Sequence, residues 1–359
     1  MEAKTGMEGQ KTVMNDALDR ISILITAYKN AELVRRCVDS LLSVYGARLP
    51  ETVIVDDAAG DVPTKALAEG YARYGVKFAV MERNGGFAGA NNFGYLLCTK
   101  EFIVLVNSDI VFHGDSLSPL VSFMDSHPKA GIVQGTLVIR NGEENVDGRL
   151  NGCGAFLTSF GVNTVLGWLA KCDDPVAQEA RQCFAAYGAM FMIRRGVVET
   201  TCGGLFYDFF HTYYEEVNFC HRAWLAGWEV WYVPTPIVDH AHGATMGRFF
   251  VREDILRKFY RNLRFSYLTC LGLRGIVTLY PMFEFLALGQ ALVPLLKFNG
   301  MYFRAHLWAW WQLLKMSAIV WRTRWEVQQS RKISDAALFK IIKRPYSLRE
   351  FLGAVRGSL

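Results

Sequence analysis

Four short apolar runs, each leading into a segment of helical periodicity and each ending in polar residues, organise residues 21–109. Ile21–Ala27 (ISILITA) is free of charge and rich in β-branched side chains, as a strand buried on both faces requires. Behind it, Ala31–Val44 places Leu33, Val34, Cys37, Val38, Leu41 and Leu42 at helical spacing. Thr52–Val55 is a second strand, ending in Asp56-Asp57, and a helical pattern follows over Thr64–Tyr74. Lys77–Met81 is a third, followed by the glycine-rich turn at Asn84–Gly86 and a helix over Ala88–Cys98. Phe102–Val106 is the fourth, ending in Asn107-Ser108-Asp109. This alternation predicts an α/β fold with a mostly parallel, Rossmann-like sheet wound by right-handed crossovers. Ligands of such sheets sit beyond the carboxyl ends of the strands. Thr26–Tyr28, Asp56-Asp57, Asn84–Gly86 and Asn107–Asp109 all fall there.

Further along, short strands and glycine turns from Ile132 to Leu166 predict an antiparallel addition. Ala185–Ile193 reads as a strand, Glu215–Ala226 as a helix, and Glu229–Val233 as a strand running into the His-rich turn at Asp239–Thr245. Beyond Arg248 the texture changes to long helical runs dense in aromatics, Arg and Lys. Charge divides at the same place. Residues 1–247 hold 20 Lys and Arg against 28 Asp and Glu, whereas residues 248–359 hold 19 against 6. The net charge of +5 therefore hides an acidic front and a basic back, two different working surfaces. The expected organisation is a polar leader over residues 1–19, a catalytic α/β domain over 20–247, and a basic, aromatic helical region over 248–359. The eight cysteines are scattered, with no Cys-x-x-Cys pair, as in proteins of a reducing compartment. No apolar signal segment opens the chain. Both point to the cytoplasm.

The strand-end residues suggest a chemistry. Asp109 is a carboxylate of the kind Mg²⁺ or Mn²⁺ prefers, and a departing diphosphate needs such a cation. An Asn-Ser-Asp turn also commonly caps a helix, so its position after the fourth strand carries the argument. Asp56 and Asp57 can accept from a base N–H or a ribose hydroxyl. The run Asn84–Asn92 lets backbone approach a ligand ahead of a helix N-terminus, but it lacks the dinucleotide fingerprint. Glu215-Glu216 opens a helix, where the dipole alone favours acid; the functional reading is a general base on a rigid element. His240 and His242 follow the last strand beside a glycine, where they can ligate metal.

In order and spacing, ISILITAYKN, VIVDDAA, NGGFAGANNFG, LVNSDI, YGAMFMIRR, FYDFFHTYYEEVNFCHRAWLAGW, HAHGAT and FYRNLRF make the chain resemble the family 2 glycosyltransferases of GT-A fold. The resemblance covers residues 20–265 and is greatest to the bacterial branch of rhamnosyl- and galactofuranosyl-transferases. It implies an inverting, metal-dependent transfer of sugar from a nucleotide-sugar donor to a cell-surface glycan. By the same resemblance, Thr26, Tyr28 and Asp56 hold the nucleoside, and Asn84, Gly86 and Asn91 line the donor cleft. Asp109 is the metal carboxylate, helped by His240, and Gly188 and Ala189 form a small-residue wall beside the sugar. Glu216 falls at the position of the base. Three positions depart from the pattern: Asn107 replaces an acid, Glu216 stands where Asp is usual, and Asn218 where a further Asp is common. Glu215 and Glu216 are therefore not separable from sequence.

In the basic region, Gly275–Leu296 is as long as a membrane span but is interrupted by Pro281, Glu284, Gln290 and Pro294. Leu307–Val320 is too short to cross and rich in Trp. With Arg304, Lys315, Arg322 and Arg324 around it, it suits an interfacial helix on anionic lipid. An ordinary helical subdomain or dimer surface is the plainer alternative. A lipid-linked acceptor would explain such a tail and a place on the cytoplasmic face of the membrane. Nucleic acid fits poorly, because the aromatics form apolar runs instead of lying among the cations. Two rivals remain: a non-catalytic glycan-binding relative, and a sugar nucleotidyltransferase, for which TAYKN lacks the usual basic glycine loop.

Overall fold

The computed structural model describes residues 17–58, 62–140, 146–241, 252–295 and 298–344. The strands β1 (Ile21–Ala27), β2 (Glu51–Asp56), β3 (Lys77–Val80) and β4 (Phe102–Asn107) form the parallel part of an eight-stranded sheet. The strand order along this part is β4-β1-β2-β3, with β1 central. Register aligns their carboxyl ends: Thr26 lies opposite both Val55 and Asn107, and Ala27 opposite Asp56. The apolar runs are strands because both faces are covered. Helix α1 (Ala31–Tyr45) buries Val34, Cys37, Val38, Leu41 and Tyr45, one stripe at helical spacing. Helices α2 (Val62–Tyr71) and α3 (Gly86–Tyr95) complete the alternation. Helix α3 begins two residues before the expected Ala88, so Gly86 belongs to its first turn.

The added part follows. Short β5 (Ile110–Phe112) leads to α4 (Ser118–Ser126), then β6 (Ala130–Gln134), β7 (Leu137–Ile139), β8 (Arg149–Asn151), β9 (Ala155–Thr158), β10 (Asn163–Val165), β11 (Trp168–Lys171) and β12 (Arg181–Gln182). Strand β13 (Met190–Arg194) runs antiparallel to β4 and β6, followed by α5 (Arg195–Thr200), α6 (Glu215–Leu225), β14 (Glu229–Tyr232) and β15 (Val238–His240). The strand expected from Ala185 starts only at Met190. Residues 185–189 leave the sheet, with Ala185 bridged to Ala155 and the Tyr187 N–H donating to Gln134 Oε1 at 2.8 Å. Strand β15 lies between β7 and β5 in a second, five-stranded sheet, with His240 opposite Ile110.

Helices α7 (Arg252–Cys270), α8 (Leu273–Leu295), α9 (Met301–Lys315), α10 (Ser317–Gln329) and α11 (Asp335–Ile342) make up the C-terminal part, and β16 (Lys343–Arg344) joins β9. The Leu307–Val320 run is two helices, broken at Met316. Leu263, Phe265, Phe283, Leu313 and Val327 share one hydrophobic cluster with Leu24, Val53 and Phe191 of the sheet. The eight cysteines are free thiols, six of them buried.

Candidate active site

A cavity of about 800 Å³ opens at the carboxyl edge of the parallel strands. Thr26, Tyr28, Asp57, Asn84, Gly86, Asn107, Asp109, Gly188, Ala189, Glu215, Glu216 and His240 all line it. Asp56 and Asn91 do not: Asp56 ends β2 as a buried residue, and the Asn91 amide donates to Phe87 O at 2.8 Å, one turn back in its own helix. His242 lies outside the described residues.

One end of the cavity is built on Asp57. Its carboxylate accepts from the Gly85 N–H at 2.6 Å and from Asn84 Nδ2 at 2.9 Å, tying the glycine loop to the end of β2. Burial raises the Asp57 pKa, and the two backbone N–H groups of Gly85 and Gly86 oppose that shift. Gly86 has φ +66°, and a Cβ there would collide with the backbone and ring of His211. His211 Nε2 donates to Asn84 Oδ1 at 2.9 Å, and Lys258 of α7 donates to His211 Nδ1 at 3.2 Å. Burial, with Lys258 and Arg261 nearby, lowers the His211 pKa. On the β1 side, Asn30 accepts from the Tyr28 N–H at 3.0 Å and donates to Ser108 Oγ at 2.5 Å.

Asp109 and His240 form the second feature. The Ala241 N–H donates to Asp109 O at 3.0 Å, so β15 sets His240 beside the end of β4. His240 Nε2 lies 3.5 Å from Asp109 Oδ1, both side chains being under a tenth exposed. Asn151 Oδ1 accepts from His240 Nδ1 at 2.6 Å, which orients the ring with Nε2 toward the carboxylate. An imidazole nitrogen and a carboxylate oxygen, oriented and facing the same space, fit a divalent cation that takes its remaining oxygens from a diphosphate. Among the described residues no third His, Cys, Asp or Glu joins them.

Glu215 and Glu216 open α6. The chain reaches them through His211, Tyr213 and Tyr214, three non-glycine residues with φ between +64° and +72°. Such backbone costs about 1–3 kcal/mol per residue unless its surroundings impose it. Here α7 imposes it: Asn262 Nδ2 is within hydrogen-bond distance of Phe210, Thr212 and Tyr213 carbonyls, and Arg261 donates to Phe209 and Phe210 carbonyls. The RN of FYRNLRF is thus a clamp on the loop that aims Glu216. Burial raises both carboxyl pKa values, Glu215 well above the carboxylate range and Glu216 to about 7. Glu215 is 5% exposed, and its Oε2 has no partner among the described residues. Elsewhere on α6, Arg222 is fully buried and donates to the Cys202, Gly204 and Leu205 carbonyls, while Asn218 donates to Ser266 Oγ of α7.

Gly188 presses on Glu216: a Cβ there would stand 3.0 Å from Glu216 Oε1. Gly188→Ala is expected to displace the carboxylate and lower kcat about 10-fold or more, since misplacements near 1 Å reach 100-fold. The check is kcat beside the melting temperature; a kcat unchanged in a normally folded variant would detach Gly188 from the base.

Sequence reading did not single out Asn30, Asn151, Tyr187 or His211 for the site. It also missed that Phe259, Tyr260, Leu263, Phe283, Leu286, Ala287 and Gln290, from α7 and α8, line the same cavity. The only hint was the inward polar pair of Glu284 and Gln290 in an otherwise apolar run.

With this geometry, the comparisons with known proteins define the class. The chain belongs to glycosyl transferase family 2, whose profile matches residues 22–201. Its α/β fold is that of the GT-A glycosyltransferases. The crystal structure of GalNAc-T7 with UDP, GalNAc and Mn²⁺ superposes with a TM-score of 0.55 at 15% identity, covering 69% of this chain and 47% of that one. Among relatives, the poly-beta-1,6-N-acetyl-D-glucosamine synthase of Staphylococcus epidermidis is 29% identical over 126 residues, 34% of this chain and 30% of its own length. The low-salt glycan biosynthesis hexosyltransferase Agl10 of Haloferax volcanii is 25% identical over 215 residues, 59% of this chain and 64% of its own. The match thus spans under a third of the synthase and just under two thirds of the hexosyltransferase.

Proposed function

We propose that this protein is an inverting hexosyltransferase that moves a sugar from a nucleotide-sugar donor to a growing, lipid-linked cell-surface glycan. The observation that carries the reading is one cavity at the carboxyl edge of the parallel strands, lined by Asp109 and His240 together with Glu216. Asn84, Gly86, Tyr28 and Thr26 hold the nucleoside and diphosphate end, with Asp57 supporting the loop. Asp109 and His240 would hold Mg²⁺ or Mn²⁺, which would supply positive charge to neutralise the departing diphosphate. Glu216 takes the proton of the acceptor hydroxyl as its oxygen bonds to the anomeric carbon, while the bond to diphosphate breaks and its electron pair leaves with the nucleotide. Rhamnose and galactofuranose are the sugars the motif resemblance favours. Release of nucleoside diphosphate from a panel of nucleotide sugars with Mg²⁺ or Mn²⁺ tests the reading. A protein that binds a donor yet never turns it over would be a non-catalytic relative.

We also propose that helices α8 to α10 lie on an anionic membrane. Leu273, Phe285, Trp311, Leu314, Trp321 and Trp325 are all more than half exposed. Helix α8 is long and apolar enough to cross a bilayer, but Arg264 of α7 grips its Glu284 with two hydrogen bonds of 2.9 and 3.0 Å. That bond supports a helix lying on the surface with one face on the protein. Arg324 turns inward to the Leu268 and Leu271 carbonyls and Arg304 pairs with Glu253, whereas Lys315 lies over the Trp311 ring at 5.0 Å and the exposed Arg322, next to Trp321, approaches Glu326 only at 4.0 Å. Each such cation contributes about 1 kcal/mol at an anionic surface. The full-length protein is therefore expected to float with anionic liposomes at low salt, to be released partly by high salt and more fully by detergent. Recovery at the bottom of the gradient would make the region a packing subdomain.

A further inference from the structure

The cavity is not uniform. Away from Asp57 and Asp109 its wall is mostly apolar, with Val162 and Val165 either side of Asn163 in the β10 segment, Leu263 of α7, and Phe283, Leu286 and Ala287 of α8. Of the polar groups along it, Tyr260 Oη donates to Gln290 Oε1 at 2.7 Å and Asn163 Nδ2 to Tyr214 Oη at 3.0 Å, while the buried Asn163 Oδ1 has no partner among the described residues. A sugar would find few hydrogen-bond partners along this wall, and water would gain little there.

Helix α8 has two apolar faces. Phe283, Leu286, Ala287 and Gln290 share one at i, i+3, i+4 and i+7, turned to the cavity. Phe285, Leu288, Leu292 and Leu295 recur at i, i+3, i+7 and i+10 on the other, each 40% or more exposed. Two apolar faces on one helix call for apolar surroundings on both sides. The cavity face is held in place. Gly161 at the β9–β10 turn meets Phe283 so closely that a Cβ there would stand 3.1 Å from the Phe283 Cβ, and Gly161 O accepts from Tyr267 Oη at 2.5 Å.

We infer that the apolar half of the cavity, walled by Val162, Leu263, Phe283 and Leu286, is a subsite for the hydrocarbon chain of the acceptor. The chain enters past α8 from the lipid in which that helix's outer face rests. Because the same cavity holds Glu216, the reacting hydroxyl lies close to the chain. The acceptor class is accordingly a lipid bearing one or very few sugars. A reaction that first attaches sugar to the lipid supplies this substrate, and glycan-extending transferases consume its product. This inference rests on the proposed base and donor site.

The test uses the full-length protein and the nucleotide sugar that it turns over. Acceptors share one sugar and differ only in aglycone (methyl, octyl or farnesyl), each below its micelle concentration and without vesicles. The expected result is kcat/KM rising at least tenfold from methyl to octyl and further to farnesyl. Leu286→Gln should flatten that rise, and free farnesol should compete with the octyl acceptor but not with donor. Equal kcat/KM for all three aglycones, or a full rise retained in Leu286→Gln, would overturn the subsite while leaving the transferase reading intact. Loss of that reading looks different: no diphosphate release from any donor, or full release in Glu216→Gln.

Discussion

Glu216→Gln is expected to lower kcat by about 100-fold or more with donor affinity near that of wild type, the low end of what a positioned proton acceptor contributes. The amide keeps the size and hydrogen-bonding reach of the carboxylate but takes no proton. Glu215→Gln should be milder, because that carboxyl is the more deeply buried of the two and its pKa lies further above the carboxylate range. A reversed order would place the base one residue earlier. The pH profile adds a sign. Burial raises Glu216 to about 7, and a base acts only when ionised, so kcat should fall as pH drops through about 7. An exposed glutamate would keep its activity down to about pH 4.3. Glu215 and Glu216 interact, so the acid limb belongs to the pair. Measured at saturating donor, the limb should vanish from the residual activity of Glu216→Gln. A limb unchanged in that variant would belong to another group.

Asp109→Asn should reduce turnover by about 100- to 1000-fold, the scale of a lost electrostatic contact to developing charge. Folding should survive, because the contact that places β15 is the Asp109 backbone carbonyl accepting from the Ala241 N–H, which asparagine retains. Metal binding gives a second readout. Mn²⁺ added to the wild-type protein with a nucleoside diphosphate should raise the melting temperature, and in the variant that increment should shrink. Activity that persists in EDTA, or a folded variant near wild-type turnover, would remove the metal from Asp109.

Much of the α/β part was legible because its signals are local. Burial on both faces writes an uninterrupted apolar run, and an amphipathic helix writes a repeat, so β1, α1, β2 and β4 are readable one at a time. Polar residues at strand ends marked one edge of the sheet, and the register of Thr26 with Asn107 and of Ala27 with Asp56 brings them there together. Prediction failed where a residue's environment is made by distant chain. Asn91 is a local exception: it looks like a ligand group within NGGFAGANNFG, yet its amide donates to Phe87 O one turn back in its own helix. Residues 185–189 read as strand, but Gln134 draws Tyr187 away and leaves Gly188 and Ala189 as cavity wall.

By itself the sequence determined the alternation of strand and helix, the acidic and basic halves, and the set of carboxylates and histidines near the strand ends. Tertiary structure decided which of them meet. His240 reaches Asp109 across 131 positions because β15 inserts between β5 and β7, a pairing no local pattern encodes. Glu215 is buried and Glu216 desolvated where α6 packs under a loop that Asn262 clamps from α7, and surroundings supplied by distant chain raise both pKa values. The region that reads as a separate basic tail forms one wall of the cavity through Leu263, Phe283 and Leu286. Periodicity shows that a helix has an apolar face; only the packed chain shows what that face meets.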